Sequence, residues 1–198
     1  MDMMEEAKEF ARRIFAGDSG GHDYDHTLRV YRMAVRLAEA EGADQEIVAL
    51  AALLHDVDDR KLSPETHETL GNARGFLHSH GISEGQAEEI LGIISRVSYS
   101  GGLVPDTLEG KCVQDADRLD AMGAIGIART FAYGGSKGRR LHDPAGEDKT
   151  SSVQHFYDKL LRLKGLMNTE TGRKLARERH VYMEEFLNRF YGEWEGLK

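Results

Sequence analysis

An apolar run, Ala51-Ala52-Leu53-Leu54, leads straight into His55-Asp56, with Asp58, Asp59, Arg60 and Lys61 close behind. A buried helix that ends in such a cluster must pair its charges or hold an ion, because an unpaired buried charge is costly. A second histidine lies upstream in Asp25-His26-Thr27-Leu28-Arg29-Val30, and an acid-rich segment, Gln114-Asp115-Ala116-Asp117-Arg118-Leu119-Asp120, lies downstream. Two imidazoles and two carboxylates suit a hydrolytic divalent cation, which takes a few nitrogen and oxygen ligands and keeps positions open for water and substrate. Two negative charges still leave room for an anionic substrate. His55 and Asp56 are adjacent, so both reach one ion only where the backbone turns at a helix end. In the third segment, spacing alone does not separate Asp117 from Asp115 and Asp120.

The elements that must position these groups read as helices. Residues 4–16 suit an amphipathic helix, stopped by Gly17, Gly20 and Gly21. Asp23 or Asp25 caps the next, which carries Leu28, Val30, Met33, Ala34, Leu37 and Ala38 at helical spacing and breaks at Gly42. Ala43-Asp44 opens a third, with Ile47, Leu50, Ala51 and Leu54 on one side, and it delivers His55-Asp56 at its C-terminal end. Ser63-Pro64-Glu65 predicts a helix start that runs to a stop at Gly81, and Ser83 with Gln86 forms a capping-box pattern before Ile90, Leu91, Ile93, Ile94 and Val97. After a turn-rich break at 98–102, residues 111–133 read as one long helix. Residues 134–150 read as a Gly-rich, charged connection with no apolar periodicity, of the kind that often serves as a lid. Ser151 restarts helix through Leu163, and residues 171–191 give a last helix.

The composition agrees with an all-α chain. It is poor in Pro and rich in Ala, Leu, Glu and Arg, and 198 residues suffice for a real core. A net charge of −8 without long runs of one sign argues against a nucleic-acid scaffold or binding to an anionic membrane. The single cysteine, Cys112, cannot form an intrachain disulfide and reads as a buried reduced thiol. The first fifteen residues are polar and do not fit a signal peptide, and no apolar run approaches the ~18–20 residues of a membrane span, so a cytoplasmic location is expected.

The set His26, His55-Asp56 and Asp117 resembles the HD superfamily of metal-dependent phosphohydrolases, named for its His-Asp pair. The wider matches are Asp25-His26-Thr27-Leu28-Arg29-Val30, Ala51-Ala52-Leu53-Leu54-His55-Asp56 and Ala116-Asp117-Arg118-Leu119-Asp120-Ala121. With Gly123-Ala124-Ile125-Gly126-Ile127-Ala128-Arg129, they are similar to a bacterial subgroup of stand-alone HD hydrolases. The resemblance runs from about Gly21 to the last helix. It implies one all-α helical bundle over 1–198, with core helices at about 21–133 and C-terminal helices at 151–192 packing on it. It also implies a divalent metal (Mn, Mg, Co, Ni or Fe) held by His26, His55, Asp56 and Asp117. The choice of Asp117 follows the Ala-Asp-Arg-Leu alignment of related alarmone hydrolases, and Asp115 and Asp120 then stand behind the ligands.

The implied activity is hydrolysis of a phosphoanhydride or phosphoester bond in a nucleoside or deoxynucleoside tri- or monophosphate. Asp59 stands where related nucleotidases carry an acid and is the expected base. Arg29, one turn from His26, and Lys61 are the foremost candidates to meet phosphate charge. Arg118, Lys137, Arg139, Arg140, Lys159 and Arg179 are further candidates. His22 and His67 are candidate substrate groups, whereas His78 and His80 read as solvated. A small-molecule nucleotide is the expected partner, with no nucleic acid and no membrane, and the choice between monomer and homodimer stays open. The cyclic-dinucleotide branch is disfavoured because Val57-Asp58-Asp59 replaces its Ile-Gly element. Two alternatives remain: a non-catalytic nucleotide-binding or regulatory module, and a di-iron oxygenase that would need extra histidines such as His67, His78 or His80.

Overall fold

Asp44 begins a deeply buried helix. Its carboxylate accepts from the amides of Glu46 and Ile47, and the helix it caps, α3 (Gln45–Leu54), is buried without interruption from Val48 to Leu54. A helix apolar on every side belongs in a core rather than on a surface. The structure, a computed structural model, describes residues 2–16, 23–97 and 102–197, so the breaks expected at Gly17, Gly20 and Gly21 and across residues 98–101 lie outside it. The described residues form helices and turns with no strand among them, as the composition predicts.

The backbone groups into two compact units, Met1–Asp117 and Arg118–Lys198. In the first, α1 (Met3–Ile14) and α2 (Tyr24–Glu41) pack on α3 through Ala7, Ala11, Val30, Ala34, Leu37 and Ala38. Asp23, not Asp25, caps α2, its carboxylate accepting from His26 N at 2.6 Å. Gly42 ends that helix with φ +79°, a left-handed conformation that glycine adopts without steric penalty. α4 (Gly71–Ser79) and α5 (Glu84–Val97) follow, α5 lying against both α3 and α4. The capping box opens α5 as expected: Ser83 Oγ accepts from Gln86 N and donates to the Gln86 side chain at 2.8 Å. α6 (Leu108–Asp120) begins in the first unit, where Cys112 and Val113 are fully buried. Burial, reinforced by the charges of Glu41, Asp115 and Glu109, pushes the Cys112 thiol up to about 12, so it is an inert packing group.

Four sequence expectations change. The helix placed after Ser63-Pro64 starts only at Gly71, because residues 63–66 spend their hydrogen bonds on turns and a short 3₁₀ turn, His67–Thr69, intervenes. The long helix over 111–133 is two, α6 and α7 (Gly123–Ser136), broken where Ala121 and Met122 donate to Arg118 and Leu119 and where Gly123 turns left-handed at φ +69°. The connection over 134–150 is not structureless: α7 runs on to Ser136, and buried Asp143 gathers the amides of Glu147 and Asp148 at 2.8 Å. Those amides, that of Asp148 first, hold the Asp143 carboxyl below its usual range. Ser151 does cap a helix, but α8 (Ser152–Asp158) breaks at Lys159 into a 3₁₀ turn over Leu160–Leu166.

The second unit closes with α9 (Glu170–Trp194), whose Phe186 and Phe190 join Phe131 and Phe156 in a cluster with centroids about 6 Å apart. Gly126 fixes the turn at the start of α7: a Cβ there would lie 2.2 Å from the Ala121 carbonyl oxygen. Gly126→Ala gains up to ~1 kcal/mol of helix propensity but overpacks against rigid backbone at about 3 kcal/mol. A net loss of about 2 kcal/mol is expected, seen in thermal unfolding as a Tm lower by about 6 °C.

Candidate metal centre

Three elements of the first unit bring the predicted groups together. His26 sits in the first turn of α2 and is 1% exposed. His55 is the residue that ends α3, and its Nδ1 lies 2.8 Å from the Ala52 carbonyl oxygen. A carbonyl only accepts, so Nδ1 carries a hydrogen and Nε2 is the nitrogen left to meet an ion once the ring is neutral. Asp56 follows in the turn, with Oδ2 3.2 Å from His55 Nε2 and 3.5 Å from His26 Nε2. From α6, Asp117 places Oδ1 3.5 Å from His26 Nε2. The His26 and His55 rings meet edge-on at 5.5 Å, and one donor atom from each of His26, His55 and Asp117 fits within a mutual 4.8 Å.

The donor set fits a divalent cation. Two imidazole nitrogens and the Asp117 carboxylate lie within mutual reach of one ion, and Asp56 beside both histidines adds a second carboxylate that favours positive charge. His55 registers this directly. Burial alone would strongly disfavour its charged form, yet Asp56, with Asp117 behind it, raises its pKa to about 9. Carboxylates that favour a positive charge on a buried imidazole favour a dication in the same place.

The predicted residues around this cluster are less closely gathered. Asp59 lies in the same turn, its amide donating to the Asp56 carbonyl at 3.0 Å and its Oδ1 accepting from Lys61 N at 2.9 Å. Arg29 is half-buried on α2, and Lys61 is exposed. Asp115 is fully buried two residues before Asp117. His67 donates from Nδ1 to the Asp58 carbonyl at 2.9 Å, and His22 lies outside the described residues. His78 is exposed as expected, but His80 is not simply solvated: it stacks on Phe76 at 4.0 Å and pairs with Glu6 at 2.7 Å.

In the second unit, Arg118 is buried and donates to the Leu166 carbonyl, and Arg179 donates to that of Leu119. Asp120 pairs with Arg129 at 2.5 Å. Lys137 and Arg139 lie over the Tyr133 ring at 5.6 and 5.3 Å, and Arg140 pairs with Asp143 at 3.2 Å. Lys159 stands at the break after α8.

A cavity of about 540 Å³ opens elsewhere in the first unit, between α1 and α4, lined by Glu6, Phe10, Arg13, Asn72 and His80 among others. It contains none of the four clustered side chains, so chemistry rather than volume marks the site. One pairing beside the cluster escaped the sequence. Asp58 is buried with both carboxylate oxygens on the amides that begin α4, and Asn72 reaches back to the Val57 carbonyl. No periodicity or motif links residues 14 or 15 positions apart across an irregular turn.

The profile of the family described as HD domain matches residues 23–122, which spans the whole cluster. A Bacillus subtilis protein, YpgQ, is 41% identical over 197 residues, covering 98% of this chain and 94% of that one. The crystal structure of YpgQ in complex with ADP superimposes with a TM-score of 0.82 at 37% identity, covering 98% of this chain and 100% of the other. An HD-superfamily hydrolase from Bacillus thuringiensis gives a TM-score of 0.81 at 43% identity, covering 98% and 97%. No helix among the described residues is long and apolar enough to cross a membrane.

Proposed function

We propose that this chain, which belongs to the HD-domain family, is a metal-dependent phosphohydrolase that cleaves a phosphoanhydride or phosphoester bond of a nucleoside or deoxynucleoside tri- or monophosphate. The observation that carries the reading is the clustering of His26, His55 and Asp117 donor atoms within 4.8 Å of one another, with Asp56 against both histidines. The relative solved with ADP supports a nucleotide as the substrate class. Both units are taken as one HD domain over 1–198, because the family match crosses the division after Asp117.

His26, His55, Asp56 and Asp117 would hold the ion, with Mn, Mg, Co, Ni and Fe all compatible with a nitrogen and carboxylate set. A divalent cation supplies a Lewis acid for a phosphoryl oxygen and lowers the pKa of a bound water toward ~7. The chain provides the rest. The Ala52 carbonyl holds the Nδ1 hydrogen of His55, so that the neutral ring would offer Nε2 to the ion. Asp59, three residues after Asp56, would orient or deprotonate the attacking water, with its carboxylate accepting from the Lys61 amide. Arg29 and Lys61 meet the phosphate charge by position and electrostatics, which dominate catalysis of this kind.

The test is release of phosphate and of pyrophosphate from a panel of nucleotides, run with Mn²⁺, Mg²⁺ or Co²⁺ and again with chelator. Chelator-sensitive release is the expected result, and the product names the bond that is cut. No release across the panel by a chain that still binds metal would replace the hydrolase with a binding module or an oxidative di-metal site.

A further inference from the structure

α4 begins in an unusual way. A helix normally satisfies its first free amides with a Ser, Thr, Asp or Asn placed immediately before it, in extended backbone. Here that position is Leu70, which has no side-chain acceptor and holds φ +51°, the left-handed region that non-glycine residues rarely occupy. The amides are instead served from 14 and 15 residues back. Asn72 N donates to Asp58 Oδ1 at 3.0 Å, and Ala73 N donates to Asp58 Oδ2 at 2.9 Å. Asp58 is 3% exposed, so these two amides meet its carboxylate away from bulk water.

The contact is reciprocal. The Asn72 side chain donates to the Val57 carbonyl at 3.0 Å and also reaches Ser63 Oγ and Thr66 Oγ1. His67 donates to the Asp58 carbonyl at 2.9 Å. Residues 57 and 58 are therefore fastened, by backbone and by side chain, to the start of α4. On either side of them stand Asp56, which contacts both histidines, and Asp59. The segment lies beyond the regular hydrogen bonds of α3, so these long-range bonds do the work of a helix in fixing it.

We infer that Asp58 and Asn72 form a latch that fixes the turn carrying Asp56 and Asp59, which makes them positioning residues for cation binding at the His26, His55, Asp56 and Asp117 cluster. The inference rests on the metal reading of that cluster. A ligand carboxylate displaced by a fraction of an ångström no longer meets the other three, and losing the groups that orient ligands typically weakens metal binding about 10–100-fold.

The experiment titrates the metal-free chain with Mn²⁺ and records Tm alongside. Asp58→Ala and Asn72→Ala are expected to bind about 10–100-fold more weakly than wild type. Asp58→Asn, which keeps one acceptor oxygen, recovers part of the loss. Leu37→Ala, three turns along α2 from His26, lowers Tm but keeps wild-type affinity. Should Asp58→Ala fail to fold, Asn72→Ala decides, since it leaves the Asp58 carboxylate on its two amides. Wild-type affinity in Asn72→Ala, or an equal loss in Leu37→Ala, overturns the latch. A wild-type chain that binds no Mn²⁺, or a His55→Ala chain that binds it normally, overturns the metal reading itself and the latch with it.

Discussion

Asp117→Ala abolishes metal-dependent nucleotide hydrolysis while the protein keeps its helical circular dichroism. Asp117 belongs to α6, and its side chain is about a quarter exposed, so alanine leaves no large void. What it removes is one of two carboxylates facing the histidines, and with it half of the negative charge that offsets a dication. The stabilisation that a metal gives a phosphoryl transition state is worth several kcal/mol, and each 1.4 kcal/mol is tenfold in rate, so a loss of about 10³-fold or more is expected. Steady-state kinetics at saturating Mn²⁺ read the loss, and direct titration shows weakened binding. An Asp117→Ala protein with full activity would remove α6 from the site.

Asp59→Asn separates chemistry from binding. Asparagine keeps the size and the acceptor that meets the Lys61 amide, but it cannot take a proton. A positioned general base contributes about 10²–10⁴-fold, so kcat falls by that factor, while KM and Mn²⁺ affinity stay within about threefold of wild type. A parallel fall in metal affinity would show that Asp59 shapes the ion site and leaves the base elsewhere. Unchanged kcat would remove it from the reaction.

The cluster was legible from sequence because its parts are tied to helix ends. The buried stretch Val48–Leu54 ends at His55, and a capped helix start places His26 one turn in. Periodicity fixes such positions closely. Selecting Asp117 over Asp115 and Asp120 needed the family resemblance. The structure gives the distinction a physical form: Asp117 faces His26, whereas Asp120 pairs with Arg129. What could not be read depends on pairings between distant residues. The break between α6 and α7 requires Gly126 to lie against the Ala121 carbonyl, and the late start of α4 requires Asp58 to replace a local cap. The connection over 134–150 looked unstructured because its organiser, Asp143, binds amides rather than contributing to an apolar pattern. Arg118 and Arg179, phosphate candidates by charge, each donate to a backbone carbonyl that no sequence pattern points to.

The most direct measurement is Mn²⁺ binding by the purified chain, followed through the loss of the free-ion electron paramagnetic resonance signal, in wild type, His55→Ala and Asp56→Ala. Chelator-reversible binding by wild type, lost in both variants with Tm still measurable, is the predicted result. Binding by both variants as tight as wild type, or none by wild type, would contradict the claim that these four side chains form a metal centre.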